Sequence, residues 1–163
     1  MPSWAELEAA EPDLAAAIAA RFAAHKHKIL GTVRADGSPR LSGIEAEVRD
    51  GELMLAGMPR GRKFEDLRRD PRFALHSGSD DADPEDPGAW SGDAKLAGVA
   101  IELTDPADLA HYAGQTEHMP PGEFELFRLD LREAVVIRMG EPADHLVVDQ
   151  WHHERGRTSV RRA

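Results

Sequence analysis

Arg60, Arg62 and Lys63 stand within four positions of one another, and residues 60–72 hold six of the chain's twenty basic residues against only three acids. Elsewhere the chain is acidic, with thirty acids and a formal net charge of -10. Phe64 and Leu67, three apart and followed by Asp70-Pro71, predict a short helix over residues 59–70, which places the three cations in its first turn. A helix N-terminus carries partial positive charge and ordinarily recruits Asp or Glu, so these charges have the wrong sign for local stability. A bound phosphate would resolve the conflict through the free backbone N–H groups, the helix dipole and arginine hydrogen bonds. The alternative is a solvated arginine cluster paired with Glu65, Asp66 and Asp70. Gly57 to Lys63 is not a nucleotide-triphosphate loop, because the glycine interval is wrong and Phe64 stands where Ser or Thr would bind magnesium.

Other chemistry finds less support. The eight histidines, His25, His27, His76, His111, His118, His145, His152 and His153, show no HExxH spacing. His152 and His153 are adjacent and on a strand would face opposite ways, so no metal site is expected. His76, at the end of a predicted strand, would line a pocket or cap the strand. Ser42 and Ser77 lack the Gly-x-Ser-x-Gly elbow of a serine hydrolase. Glu45 and Glu47 alternate on one side of a strand; solvent or a subunit interface explains them as well as an acid/base pair, and neither is assigned a role. Trp90 and Trp151 sit in otherwise loop-like segments, where an aromatic ring covers a ligand or an interface, or else fills the core.

The whole chain bounds these readings. Its 163 residues, 41% hydrophobic, suit a single domain over 1–163 with an ordinary core. The absence of cysteine excludes disulfides, thiolate metal sites and a cysteine nucleophile, and points to a reducing cytoplasm. The net negative charge disfavours nucleic acid and anionic lipid as partners. No apolar run approaches the roughly 18 to 20 residues of a membrane span, so the expectation is a cytoplasmic, unexported protein.

The elements that must position the cations follow from periodicity. Residues 4–25 read as one short and one longer helix, separated at Glu11-Pro12-Asp13, within an N-terminal helical segment over 1–27. Residues 28–34 form a strand, Asp36-Gly37 a hairpin turn, and residues 40–49 and 52–57 two more strands joined at Asp50-Gly51. After the short helix come a strand at 72–77 and an acidic loop over 78–93. A strand at 95–104, a helix at 106–115 and a strand at 124–139, broken near Arg132-Glu133, complete the body, and a basic tail ends the chain. Six or seven antiparallel strands with peripheral helices predict a closed or nearly closed barrel, mainly β, with an N-terminal helix.

The order of these pieces carries a resemblance: Ile29-Leu30-Gly31-Thr32-Val33, then Asp36-Gly37-Ser38-Pro39, a strand with Ser42, then Leu53-Met54-Leu55-Ala56-Gly57, then the run from Gly61-Arg62-Lys63-Phe64 to Asp70-Pro71-Arg72. It resembles the pyridoxamine 5'-phosphate oxidase-like family, the FMN-binding split β-barrels. Residues 28–77 match well, Gly98-Val99-Ala100 and residues 151–162 more loosely, and the pattern looks most like the actinobacterial-type branch.

The resemblance implies a homodimer with FMN at the subunit interface and the cofactor phosphate held by Arg62 and Lys63, assisted by Arg60. It places Gly57 and Met58 under the cofactor, and Ser42, Gly43 and Ile44 on the strand that approaches ring and phosphate. Trp90, Lys95, His76 or Trp151 would border the ring from either subunit. Ser42 and Glu47 lie near the places where the true oxidases carry an arginine and a lysine, so the vitamin B6 oxidase activity itself is not expected. The function implied is an FMN-dependent oxidoreductase acting on a small molecule. The alternatives are a reductase using the deazaflavin coenzyme and a non-catalytic protein that binds flavin, haem or another tetrapyrrole.

Overall fold

In the computed structural model, which describes residues 1–115 and 122–163, the chain winds eight antiparallel strands into a six-stranded barrel with a two-stranded extension. The strands are β1 (Lys28–Val33), β2 (Pro39–Arg49), β3 (Glu52–Gly57), β4 (Arg72–His76), β5 (Asp93–Leu103), β6 (Glu125–Met139), β7 (Leu146–His152) and β8 (Gly156–Arg162). They run in the order β3-β2-β1-β4-β5-β6-β7-β8, and a further pairing of β3 with β6 closes the first six into a barrel. Closure leaves no exposed edge in the barrel itself.

The strand count is one more than the upper expectation because the tail forms a β7–β8 hairpin. Every residue of β8 is exposed, so no apolar alternation marks it in the sequence. The break expected near Arg132-Glu133 is a bulge rather than an interruption: Ala97 pairs with Glu133 and Gly98 with Leu131, leaving Arg132 without a partner on β5. Gly98 is required there, since a Cβ would meet the Asp130 carbonyl oxygen at 1.9 Å.

Helices fill the barrel's flanks. α1 (Trp4–Ala10) starts on a reciprocal cap, Ser3 N–H to Glu6 Oε2 at 2.8 Å and Glu6 N–H to Ser3 Oγ at 3.3 Å. Pro12 then opens α2 (Pro12–Ala24), where its missing N–H costs nothing. Trp4, Leu7, Leu14, Ala15 and Ile18 join Leu30, Leu55, Leu75, Leu96 and Leu129 in one core. α3 (Arg62–Arg69) buries Phe64 and Leu67 in that core, with Phe64 stacked on Phe127 at a centroid distance of 5.3 Å. α4 (Pro106–Gly114) is capped by Asp105 and lies over a second cluster of Met54, Tyr112 and Leu126. No helix among the described residues is long and apolar enough to cross a membrane.

Candidate functional site

The start of α3 is where core packing decides which way the cations point. Phe64 and Leu67 face inward, so Arg62 and Lys63 are left on the flanks of the first turn. The N-cap is Gly61, which has no side chain to satisfy the first N–H groups. The Phe64 and Glu65 N–H groups both turn back to the Gly61 carbonyl, and no bond from those of Arg62 and Lys63 occurs among the described residues. The preceding residue, Arg60, holds a left-handed backbone angle of 60°, which lets the chain turn sharply out of β3 into the helix.

On one flank, Lys63 Nζ donates to the Gly43 carbonyl at 2.9 Å across the mouth of a cleft of about 480 Å³. That size lies within the roughly 300–1,000 Å³ common for small-molecule sites. Gly43, Ile44, Gly57, Met58 and Lys63, all expected from the sequence, meet in its walls. Burial alone lowers the Lys63 pKa, and no acid pairs with its ammonium among the described residues. On the other flank, Arg60 and Arg62 line a more open groove with Arg34, Arg40 and Arg69 and the acids Asp36, Glu65 and Asp66. Neither the Arg60 nor the Arg62 side chain makes an ion pair or hydrogen bond among the described residues. The acid pairing of the solvated-cluster alternative is found at the far end of the helix and just beyond it, where Arg68 meets Glu102 and Glu125, Arg69 meets Asp66, and Arg72 meets Asp70, while Arg60 and Arg62 are exposed.

Between the two flanks lies a buried carboxylate. Asp66 accepts from Thr32 Oγ1 at 2.9 Å, Arg40 Nε at 2.6 Å and Arg69 Nη2 at 3.0 Å. Burial pushes its pKa up, yet these three donors outweigh burial and hold it down to about 2. It fastens α3 to β1 and β2 and so fixes the direction in which the first turn points.

The far wall of the cleft is acidic and aromatic. Tyr112 donates to Glu47 Oε1 at 2.7 Å, and Arg49 Nη2 donates to Glu47 Oε2 at 2.7 Å. Burial raises the Glu47 pKa, but the Arg49 and Tyr112 bonds bring it below the usual carboxylate range; burial and Glu47 together raise the Tyr112 phenol. Glu45 meets Lys26 at 3.3 Å and His27 at 3.7 Å at the rim. Gly43, Glu45 and Glu47 share one face of β2 by simple alternation, the signal that could have placed both acids at the cleft. Tyr112 and Phe124 come from the packing of α4 and the approach to β6, which local pattern does not encode.

Five expected site residues lie outside the cleft. Ser42 pairs with the core residue Leu30 and is absent from the cleft wall. Trp151 is 6% exposed and fills the core. Lys95 is exposed on β5 opposite His76, outside the cleft. His76 caps its own strand end, its Nδ1 accepting from the Gly78 N–H at 3.0 Å. Trp90 donates to the Asp80 carbonyl at 2.9 Å and so folds the acidic loop on itself. His118 lies outside the described residues.

The comparisons with known proteins agree with this architecture. The model of the pyridoxamine 5'-phosphate oxidase family matches residues 14–137, and the chain belongs to that family. A pyridoxamine 5'-phosphate oxidase-related, FMN-binding protein from Nostoc punctiforme superposes with a TM-score of 0.62 at 15% identity, covering 94% of this chain and 96% of that one. PhzG from Burkholderia lata, solved with tetrahydrophenazine-1-carboxylic acid, gives 0.58 at 15% identity over 96% and 91%. A heme-binding protein from Mycobacterium smegmatis gives 0.55 at 17% identity over 91% and 88%. At these identities the likeness is one of fold. No curated protein matches the sequence.

Proposed function

We propose that the protein is an FMN-dependent oxidoreductase whose cofactor phosphate docks at the first turn of α3. One observation carries the reading: a helix N-terminus without a side-chain cap, with Lys63 at a cleft of about 480 Å³ and Arg60 and Arg62 on the neighbouring flank, none of the three ion-paired among the described residues. A dianionic phosphate fits this donor set, because it would use the free N–H groups, the dipole and the cations together. Lys63 would hold it from the cleft side, and Arg62 with Arg60 from the groove side. Gly57 and Met58 would support the ring, with Gly43 and Ile44 along its edge. When bound, the flavin supplies hydride transfer at its N5, and the protein's part is to anchor, orient and dry it.

The same reading makes the active unit a homodimer. Leu41 is 75% exposed, Met58 80% and Ile29 45%, a cost that a second copy would remove. Leu41 sits opposite Gly31, and Gly31 opposite Ala74, so this strip of the barrel wall is flat as well as apolar. A partner packed here would cover the cleft rim at Gly43 and Met58. Lys95 and Trp90, which the single chain leaves outside the cleft, would reach a ring only across such an interface.

Two other cofactors are compatible with the fold. A deazaflavin coenzyme goes with the actinobacterial-type branch, but its polyanionic tail would face Glu45, Glu47 and Glu123 in the cleft. Haem finds support in the heme-binding relative of like fold. Parallel titrations of cofactor-stripped protein with FMN, the deazaflavin and haem separate the three. Tight binding of FMN alone, one per chain, supports the reading; binding of one of the others alone replaces it. NAD(P)H oxidation by the FMN-loaded protein then distinguishes an oxidoreductase from a carrier.

A further inference from the structure

The β7–β8 turn brings together three ligand-type side chains that have no part in the cleft. His152 ends β7 and His153 begins the turn, so the strand alternation that would separate adjacent side chains stops between them. The rings meet edge to face with centroids 5.1 Å apart. One nitrogen from each ring and one carboxylate oxygen of Glu154 all lie within 4.8 Å of one another.

These atoms are poorly satisfied by each other. His153 Nδ1 is buried with no hydrogen-bond partner among the described residues, and His153 Nε2 stands 3.9 Å from Glu154 Oε1, beyond hydrogen-bond reach. Two ligands each about 2.1 Å from a tetrahedral zinc stand about 3.4 Å apart, so this spacing is nearer to a metal's bite than to a direct contact. His152 Nδ1 accepts the Glu154 N–H at 3.2 Å, a long bond that gives way when the tautomer changes to free Nε2. Glu154, 74% exposed, is free to close on an ion, while the His153 N–H, bonded to the Arg132 carbonyl at 3.0 Å, fixes the turn to the bulge of β6. Glu133 lies opposite His152 on β6 and adds negative charge to that face; its Oε2 is held by Gln150 at 2.9 Å.

We propose that His152, His153 and Glu154 form a binding site for a divalent transition metal, with zinc or nickel as the natural class. Two imidazoles and one carboxylate, without thiolate, suit such borderline ions rather than calcium or magnesium, and water would complete the shell. The site is independent of the flavin reading, since it shares no residue with the cleft.

The test is calorimetric titration of chelator-treated protein with zinc chloride and, separately, nickel chloride. One site per chain is expected, weakened at least about tenfold in Glu154→Gln and abolished in His153→Ala. Glu154→Gln changes an exposed side chain and keeps the fold, so its result stands even if His153→Ala destabilises the hairpin. His27→Ala, a histidine remote from the turn, should leave the affinity unchanged. Absence of binding, or equal binding by wild type and Glu154→Gln, overturns the proposal, as does a loss shared by His27→Ala.

Discussion

Lys63 Nζ reaches the carbonyl of Gly43, twenty positions earlier, at 2.9 Å, and so latches the first turn of α3 to the middle of β2. The bond holds an ammonium at the cleft that makes no ion pair among the described residues. Lys63→Gln should therefore weaken FMN binding by about 1.5 to 3 kcal/mol, the worth of a charge-assisted hydrogen bond. Riboflavin, which lacks the phosphate, should bind both forms equally. Titration followed by flavin fluorescence checks this, and an unchanged FMN affinity would remove Lys63 from the site.

Asp66 offers a prediction about pH. Its pKa of about 2 lies below the ordinary 3.8, so its stabilising contribution is complete above the unfolded value and is lost as pH falls through the folded one. Asp66→Asn should cost about 3 kcal/mol at pH 7, because Arg40 and Arg69 lose their shared partner beside a buried amide. Denaturant midpoints of the two forms should converge between pH 4 and pH 2. A gap that stays constant over that range would show that the carboxylate charge is not what matters.

Gly57 allows β3 to pass directly over the ring of Phe64. A Cβ at Gly57 would meet two ring carbons at 2.8 Å, and Phe64, fully buried and stacked on Phe127, has nowhere to move. Gly57→Ala should destabilise the fold by about 1 to 3 kcal/mol through overpacking. Chemical denaturation reads this directly; an unshifted midpoint would mean that the ring yields.

The apolar wall at Leu41 predicts the oligomeric state. Sedimentation of the wild-type protein should show a dimer, and Leu41→Glu a folded monomer with little change in circular dichroism, since the side chain is exposed within one chain. In Leu41→Glu the FMN affinity should fall as dimerisation is lost, because the second copy would cover the cleft rim at Gly43 and Met58. A wild-type monomer that binds FMN fully would separate the cofactor site from any interface.

Much of the barrel was legible because its signals are local. Asp36-Gly37 marks the β1–β2 turn, where Gly37 takes a φ of 83°, and Pro12 marks the start of α2. The short helix that carries Arg62 and Lys63 was legible in the same way, from the spacing of Phe64 and Leu67 and the stop at Asp70-Pro71. What stayed hidden depends on tertiary packing. Trp151, read as a candidate cofactor neighbour, is core because β7 pairs with β6 and sets it against Ala134. Tyr112 enters the cleft because α4 folds back over β3, and β8 carries no apolar face by which to announce itself. His152 and His153 converge because the strand ends exactly between them, and element boundaries are the least legible feature of a sequence.

The most direct test of the account is calorimetric titration of the purified, cofactor-stripped protein with FMN and with riboflavin. The account predicts one FMN site per chain and markedly weaker binding of riboflavin, because the phosphate supplies the contacts at Arg60, Arg62 and Lys63. No binding of FMN, or equal affinity for the two, would contradict it and leave the cations at the start of α3 as surface charge.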